Sequence, residues 1–368
     1  MDIGYFLKLM VEKNASDMFL STGAPVSIKV EGHIHPLGKS GLPPGMVKKI
    51  AYSLMDDVQV KEFEDTLELN LAISITDAGR FRVNVFRQRG EVSMVVRAIK
   101  GDIPDFEALH MPMLLRDLIM EKRGIVLVVG ATGSGKSTTL ASMIDYRNSN
   151  ASGHILTIED PIEFLHRHKK SIVNQREIAI DTYTYKAALK SALREAPDVL
   201  LIGEILDTET MEAAISFAET GHLVLATLHS NNADQTMDRI LNFFPEVAHK
   251  QVLQSLSLNL RGIVSQRLVM AKSGKRRAAV EILVNTALIR DMIRRGEISD
   301  MKQKMDESLD DGMQTFDQAL YKLYKDGVCD LDEVLRHADS KDGLELKIKL
   351  SEGASVDDEP DMFDPSTY

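Results

Sequence analysis

The sequence predicts an α/β fold: a mainly parallel sheet with helices on both faces, preceded by a smaller α+β domain. Three observations predict it. Residues 125–129 are an apolar run long enough for a strand buried on both faces, followed at once by a glycine-rich loop and a helix-favouring tail. Apolar runs and helical segments then alternate to about residue 243, as in strands joined by helical crossovers. Upstream, residues 67–99 alternate apolar and polar side chains around the turn Asp77-Ala78-Gly79, the pattern of an antiparallel meander.

In chain order, Phe6, Leu7, Met10 and Val11 give a short amphipathic helix over residues 2–11, and 16–20 and 26–30 are short strands set off by Gly23, Pro25 and Gly32. Helical stretches at 46–54 and 60–64 precede the meander. Residues 1–100 are thus expected to form the small α+β domain, and 101–111, with Pro104, the linker. The larger domain, 112–340, opens with a helix near 112–120. Strands are expected at 154–158, 199–202 and 223–228, and helices at 185–194, 208–219 and 234–243. Beyond Ala248 the chain reads as helical, apart from a strand pair at 266–271 and 277–284; helices at 287–295 and 313–325 complete the domain.

Residues 341–368 are expected to be a disordered tail. The last 18 residues hold six acids and no Lys or Arg, leaving about −5 of the net charge of −11 on the rest of the chain. Their few apolar groups cannot offset an ordering cost of roughly 1–2 kcal/mol per residue. That charge balance does not favour an extended surface for nucleic acid, and no nucleic-acid partner is expected. No run of 18 apolar residues occurs, and Asp2 stands where a secretory signal carries positive charge, so a cytoplasmic protein is expected. The single cysteine, Cys329, excludes a disulfide framework and a cysteine-cluster zinc site.

The chemistry begins at Gly130-Ala131-Thr132-Gly133-Ser134-Gly135-Lys136-Ser137, which fits GxxxxGK[ST] in the strand-to-helix context the motif requires, with Thr138 continuing the helix. The glycines let successive amides turn inward toward phosphate oxygens. Lys136 supplies a point charge to the β- and γ-phosphates of ATP. Ser137 offers a hydroxyl to Mg²⁺ at a helix N-terminus that itself attracts anions. The apolar run 199–202 ends in Gly203 and Glu204, placing a carboxylate where it can face the metal and its waters. Glu159, Asp160 and Glu163 lie on a loop broken by Pro161; they are either a solvated acidic turn or the source of the group that deprotonates the attacking water. His222 and His229 flank the run 223–228, as capping residues or, for His229, as a contact to a γ-phosphate.

GATGSGKSTTL, ILTIEDPIEF, VNQRE, ALREAPDVLLIGE, ETGHLVLATLHS and LIRDMIRR together resemble the secretion ATPases that retract type IV pili, the PilT/PilU family, over about residues 3–337; the acidic tail points to the PilU branch. Longer relatives of the family usually carry a cysteine-coordinated zinc that one cysteine cannot build. The resemblance implies a PAS-like N-terminal domain and a RecA-like P-loop ATPase domain, in a homohexameric ring at the cytoplasmic face of the inner membrane with ATP between subunits. It implies a sister retraction ATPase and an inner-membrane pilus platform protein as partners. By resemblance Glu163 is the general base, Glu204 the acid of the second nucleotide motif, and His222 and His229 a histidine pair. Arg82 and Arg97 would reach over the nucleotide; as residues alone they are equally solvated strand positions.

Three positions depart from the family pattern. Leu206 stands where an Arg is usual, Ala196 where an Asp commonly precedes the proline, and Arg295 where the retraction motif ends in Glu, although Arg290 and Arg294 keep their i, i+4 spacing. An accessory nucleotide-binding subunit that supports a sister motor, and a nucleic-acid translocase, are the alternative functions.

Overall fold

The computed structural model describes residues 3–76, 78–307 and 312–353. They form two compact units, one holding the chain to Ile103 with Ile158–His168 and Val173–Ser191, the other Pro104–Thr157, Lys169–Ile172 and the chain from Ala192 onward. The units are therefore not consecutive in sequence. Two segments that the sequence assigns to the larger domain pack with the smaller one. Among the described residues no helix is long and apolar enough to cross a membrane.

The first unit contains α1 (Ile3–Glu12), β1 (Asp17–Leu20), β2 (Ser27–Val30), β3 (His33–Pro36), α2 (Met46–Tyr52), α3 (Asp57–Thr66), β4 (Glu68–Ile75), β5 (Gly79–Gln88) and β6 (Glu91–Ala98). Its antiparallel sheet runs β3-β2-β1-β6-β5-β4. Phe81, Val83 and Val85 of β5 and Met94 and Val96 of β6 are buried with Leu7, Met10 and Phe63 from the helices. The alternation in β5 and β6 is what gives this sheet an apolar face. β3 was not anticipated. All four of its residues are exposed, so it has no burial pattern to read and is held as an edge strand by its pairing with β2.

Beyond β6 the chain forms, in order, α4 (Phe106–Leu109), α5 (Leu114–Met120), β7 (Gly124–Val129), α6 (Lys136–Asn150), β8 (Gly153–Glu159), β9 (Ser171–Glu177), α7 (Tyr185–Ala192), β10 (Val199–Ile202), α8 (Thr208–Glu219), β11 (Leu223–Leu228), α9 (Ala233–Leu241), α10 (Glu246–Asn259), β12 (Leu260–Met270) and β13 (Arg276–Val284); most of β9 and α7 lies in the first unit. The strands β12, β7, β11 and β10 are mutually parallel neighbours, with β13 added antiparallel at the edge. This is the mainly parallel α/β sheet expected. Helices α11 (Ala287–Arg295), α12 (Met301–Glu307), α13 (Phe316–Lys325), α14 (Leu331–His337) and α15 (Lys341–Gly353) follow.

Two expectations are corrected here. The strand expected from Gln266 begins six residues earlier, because Leu260 and Gly262–Ser265 pair with β7 and are buried on both faces, which overrides their helical periodicity. The tail expected to be disordered from Lys341 is helical to Gly353. Leu344 and Ile348, at i and i+4, are buried against Phe316, Leu320 and Val334, apolar surface that the composition of the last 18 residues does not register. Residues 354–368, the rest of that expectation, lie outside the described residues. Cys329 is fully buried, and burial pushes its thiol pKa up.

A buried carboxyl group ties α9 to the sheet. Glu281 of β13 is 1% exposed, and its Oε1 accepts from Ala233 N at 2.8 Å and Ser265 Oγ at 3.1 Å. Burial, aided by the nearby Asp339 charge, raises its pKa from 4.5 to about 7, although both hydrogen bonds and Lys302 act in the opposite direction. The folded chain thus keeps a proton that the unfolded chain has released. Between about pH 4.5 and pH 7 this group makes stability fall as pH rises, by roughly 3 kcal/mol in all, with the loss complete above pH 7. Glu281→Gln keeps the acceptor oxygen and removes the proton equilibrium. Urea unfolding should show the variant more stable than the parent at pH 8 with the gap narrowing toward pH 5; a constant gap would mean that this proton is not linked to folding.

Candidate functional site

β7 lies between β11 and β12, with Val129 opposite both Leu228 and Ser265, and all six of its residues are buried. It delivers the loop that follows to the carboxyl edge of the sheet. There Gly130, Gly133 and Gly135 take φ values of 147°, 78° and 94°, which side chains rarely tolerate. At Gly130 space also excludes a side chain, and at Gly135 a side chain would have to displace that of Gln266. A Cβ on Gly130 would stand 2.5 Å from the Gln266 carbonyl oxygen, and one on Gly135 would stand 2.8 Å from the Gln266 side-chain nitrogen.

Helix α6 then starts at Lys136 with Gly135 as its N-cap, and no side chain caps its first amides. Those donors and the helix dipole are thereby left to an anion. Lys136 Nζ donates to the Gly130 and Ala131 carbonyls at 2.8 and 3.0 Å, folding back over its own loop. Ala131 and Thr132 are exposed, Ser137 and Thr138 half-buried in the first turn of the helix, and the buried Ser134 Oγ has no hydrogen-bond partner. Backbone freedom, an open helix end, a cation and two hydroxyls on one turn fit a nucleotide polyphosphate with its metal.

Gln266 of β12 was not singled out in the sequence. It is buried, and its Oε1 accepts from Thr139 Oγ1 at 2.8 Å, so one side chain both supports α6 and limits the space at Gly135. The signal was available only as a polar residue in an apolar strand.

Glu204 and His229 leave the sheet one strand apart. β10 and β11 are in parallel register, Ile202 opposite Ala226, and their ends are tied by Thr227 Oγ1 donating to the Gly203 carbonyl at 2.5 Å and Ile205 N donating to the Thr227 carbonyl at 2.9 Å. This brings His229 Nε2 to 2.9 Å from Glu204 Oε1, with the side chains 46% and 29% exposed. Beside them opens a cleft of about 340 Å³ lined by Ala131, His229, Asn231, Asp238 and Arg239. His222 is placed elsewhere. It sits at the amino end of β11, roughly 20 Å along the strand from His229, with Nδ1 against the Phe217 carbonyl and Thr220 Oγ1. The structure does not bring the two histidines together within one chain.

The other expected residues belong to the first unit. Glu163 is exposed on the loop after β8, between the buried Ile162 and Phe164. Arg82 of β5 and Arg97 of β6 are directly cross-strand. Arg97 Nε donates to Asp17 Oδ1 at 2.8 Å, and Arg82 Nε lies 3.6 Å from Oε1 of the fully buried Glu177. Burial pushes the Glu177 pKa up, while the Arg82 charge and the Ile162 amide hold it down.

Residues 3–329 match the type II/IV secretion system protein family. The chain belongs to this family. Within it the type IV pilus ATPase PilU of Pseudomonas aeruginosa is 50% identical, over 97% of this chain and 94% of its own length. The type IV pilus retraction ATPase PilT of the same organism is 42% identical, over 89% of this chain and 95% of its own. Among solved structures the pilus retraction motor PilT with bound ADP is similar at a TM-score of 0.87 and 43% identity, covering 94% of this chain and 99% of that one. The chain is thus a P-loop ATPase of the family's PilT/PilU group.

The steric limit at the loop can be measured. Gly130→Ala puts a methyl group against the Gln266 carbonyl and should lower unfolding stability by more than about 2 kcal/mol, whereas Gly133→Ala faces open space and should cost the left-handed conformation alone, roughly 1–2 kcal/mol. Equal losses in denaturant titrations would show that the approach of Gln266 relaxes without cost.

Proposed function

We propose that this chain is a Mg²⁺-dependent ATPase that forms a homohexameric ring at the cytoplasmic face of the inner membrane, at the pilus base, and powers or assists type IV pilus retraction. The observation that carries this reading is one carboxyl edge on which the strained phosphate loop and the Glu204–His229 pair emerge from adjoining parallel strands. Its likeness over nearly full length to PilU and PilT supports the pilus assignment, and the ADP in the PilT structure supports the ligand. An inner-membrane platform protein and a sister retraction ATPase are the proposed partners.

In the hydrolytic step the amides of residues 130–138 and the Lys136 ammonium hold the β- and γ-phosphates. Ser137 and Glu204 would hold Mg²⁺, which when bound neutralises charge on those phosphates. Glu163 orients a water and takes its proton as the oxygen attacks the γ-phosphorus and the bond to the bridging oxygen breaks. His229 Nε2 is already engaged by Glu204, so a γ-phosphate competes with that carboxylate for the ring and its presence is read there. Arg82 and Arg97 are assigned to the nucleotide's phosphates. His222, at the far end of β11, is left out of the step.

Lys136→Ala should lower ATP turnover by about 100-fold or more, and Glu163→Gln and Glu204→Gln by a similar factor with ADP binding retained. Each should also stop retraction when it replaces the chromosomal copy. Normal turnover in all three would sink the site; lost turnover with normal retraction would make the chain an accessory subunit.

A further inference from the structure

The loop that carries Glu163 is held from below by two side chains of β9 that the proposed hydrolytic step does not use. Glu177 is fully buried, and its Oε2 accepts from the Ile162 amide at 3.3 Å, the residue immediately before Glu163. Gln175 holds the other side: Nε2 donates to the Phe164 carbonyl at 2.9 Å and to Glu159 Oε1 at 3.1 Å, while Oε1 accepts from the His166 amide at 2.8 Å. Leu165 N is bound to the Lys100 carbonyl at 2.9 Å, and the flanking side chains Ile162 and Phe164 are buried. The main chain is thus tied at residues 162, 164, 165 and 166, and the Glu159 side chain is held beside them, while the Glu163 carboxylate stays exposed. That is more restraint than a solvated acidic turn needs.

We propose that Glu177 and Gln175 are positioning residues for Glu163, clamping the loop on either side of it so that its carboxylate is presented in one place. This rests on the reading of Glu163 as the general base. A base displaced by about 1 Å loses up to 100-fold in rate, so a clamp with no contact to substrate acts on turnover. The buried carboxylate at Glu177 has a counterion in Arg82, 3.6 Å from its second oxygen, with Arg80 and Asp181 forming a further pair at 3.9 Å beside it. The cost of burying the acid is therefore partly offset by β5, the strand that also carries Arg82 toward its proposed role.

The test is steady-state ATP turnover of the full chain with the Ile162 and Leu165 amides followed by hydrogen exchange. Glu177→Ala should lower kcat by about 30-fold with KM and ADP affinity within about twofold, and should speed exchange at Ile162. Glu177→Gln, which keeps an acceptor for the Ile162 amide, should recover kcat to within about threefold of the parent. Gln175→Ala, which leaves no buried charge unpaired, should lower kcat by about 10-fold on its own. In the Glu163→Gln background Glu177→Ala should cost almost nothing further, because both act through one group. An undiminished kcat in Glu177→Ala and Gln175→Ala while Glu163→Gln is inactive overturns the clamp, as does a full multiplicative loss in the double variant. Should Glu163→Gln turn over normally, the general-base reading fails instead. The clamp then stands or falls on whether Glu177→Ala leaves Ile162 exchange unchanged.

Discussion

β7 ends between two parallel neighbours, and the loop that leaves it passes so near the Gln266 carbonyl that no side chain fits at Gly130, while one at Gly135 would push against the Gln266 side chain. That close approach sets the dimensions of the cradle. The loop follows one tight path because β12 is packed behind it, and α6 starts with its amides uncapped because its N-cap is a glycine. Gln266 adds the lateral restraint, bonding Thr139 one turn into α6. The path of the loop and the start of the helix are therefore set by the sheet itself, which suits the anion site proposed for them; Lys136, bonded to the Gly130 and Ala131 carbonyls, is the group that has to move.

The two acids assigned to hydrolysis are held in different ways. Glu204 stands two residues past a buried strand end, and its place is set by the hydrogen bonds that tie β10 to β11. Its contact with His229 is half exposed, and such a pair contributes little stability. In the proposed step it occupies the imidazole until the γ-phosphate arrives. Glu163 has no strand to stand on. Its loop is fixed instead by the Glu177 and Gln175 side chains, at the cost of burying a carboxylate opposite Arg82.

The departures from the family pattern are local. Ala196 sits at φ 48°, a conformation that the short polar side chain of Asp tolerates better than Ala does, so the substitution carries backbone strain into the turn before β10. Leu206, two residues past Glu204, is 55% exposed and puts an apolar side chain where the family pattern has an Arg. Arg295 is paired with Asp291 and Glu297 at 3.0 and 3.1 Å, so its charge is absorbed within and just beyond α11.

Strong periodicity made much of this protein legible in advance. The runs at 199–202, 223–228 and 208–219 form elements with those boundaries, because a fully apolar strand or a capped amphipathic helix announces itself in its own residues. The phosphate loop was legible for the same reason, since its glycines are demanded by a backbone path that starts and ends locally. Tertiary structure decided what depends on partners distant in sequence: the burial that makes Leu260–Ser265 a strand, the support of the loop by Gln266, and the attachment of Ile158–His168 and Val173–Ser191 to the first unit. The free energy of each comes from a surface the local sequence does not contain, as with Leu344 and Ile348, whose helix is held by apolar groups some 10 to 32 residues away.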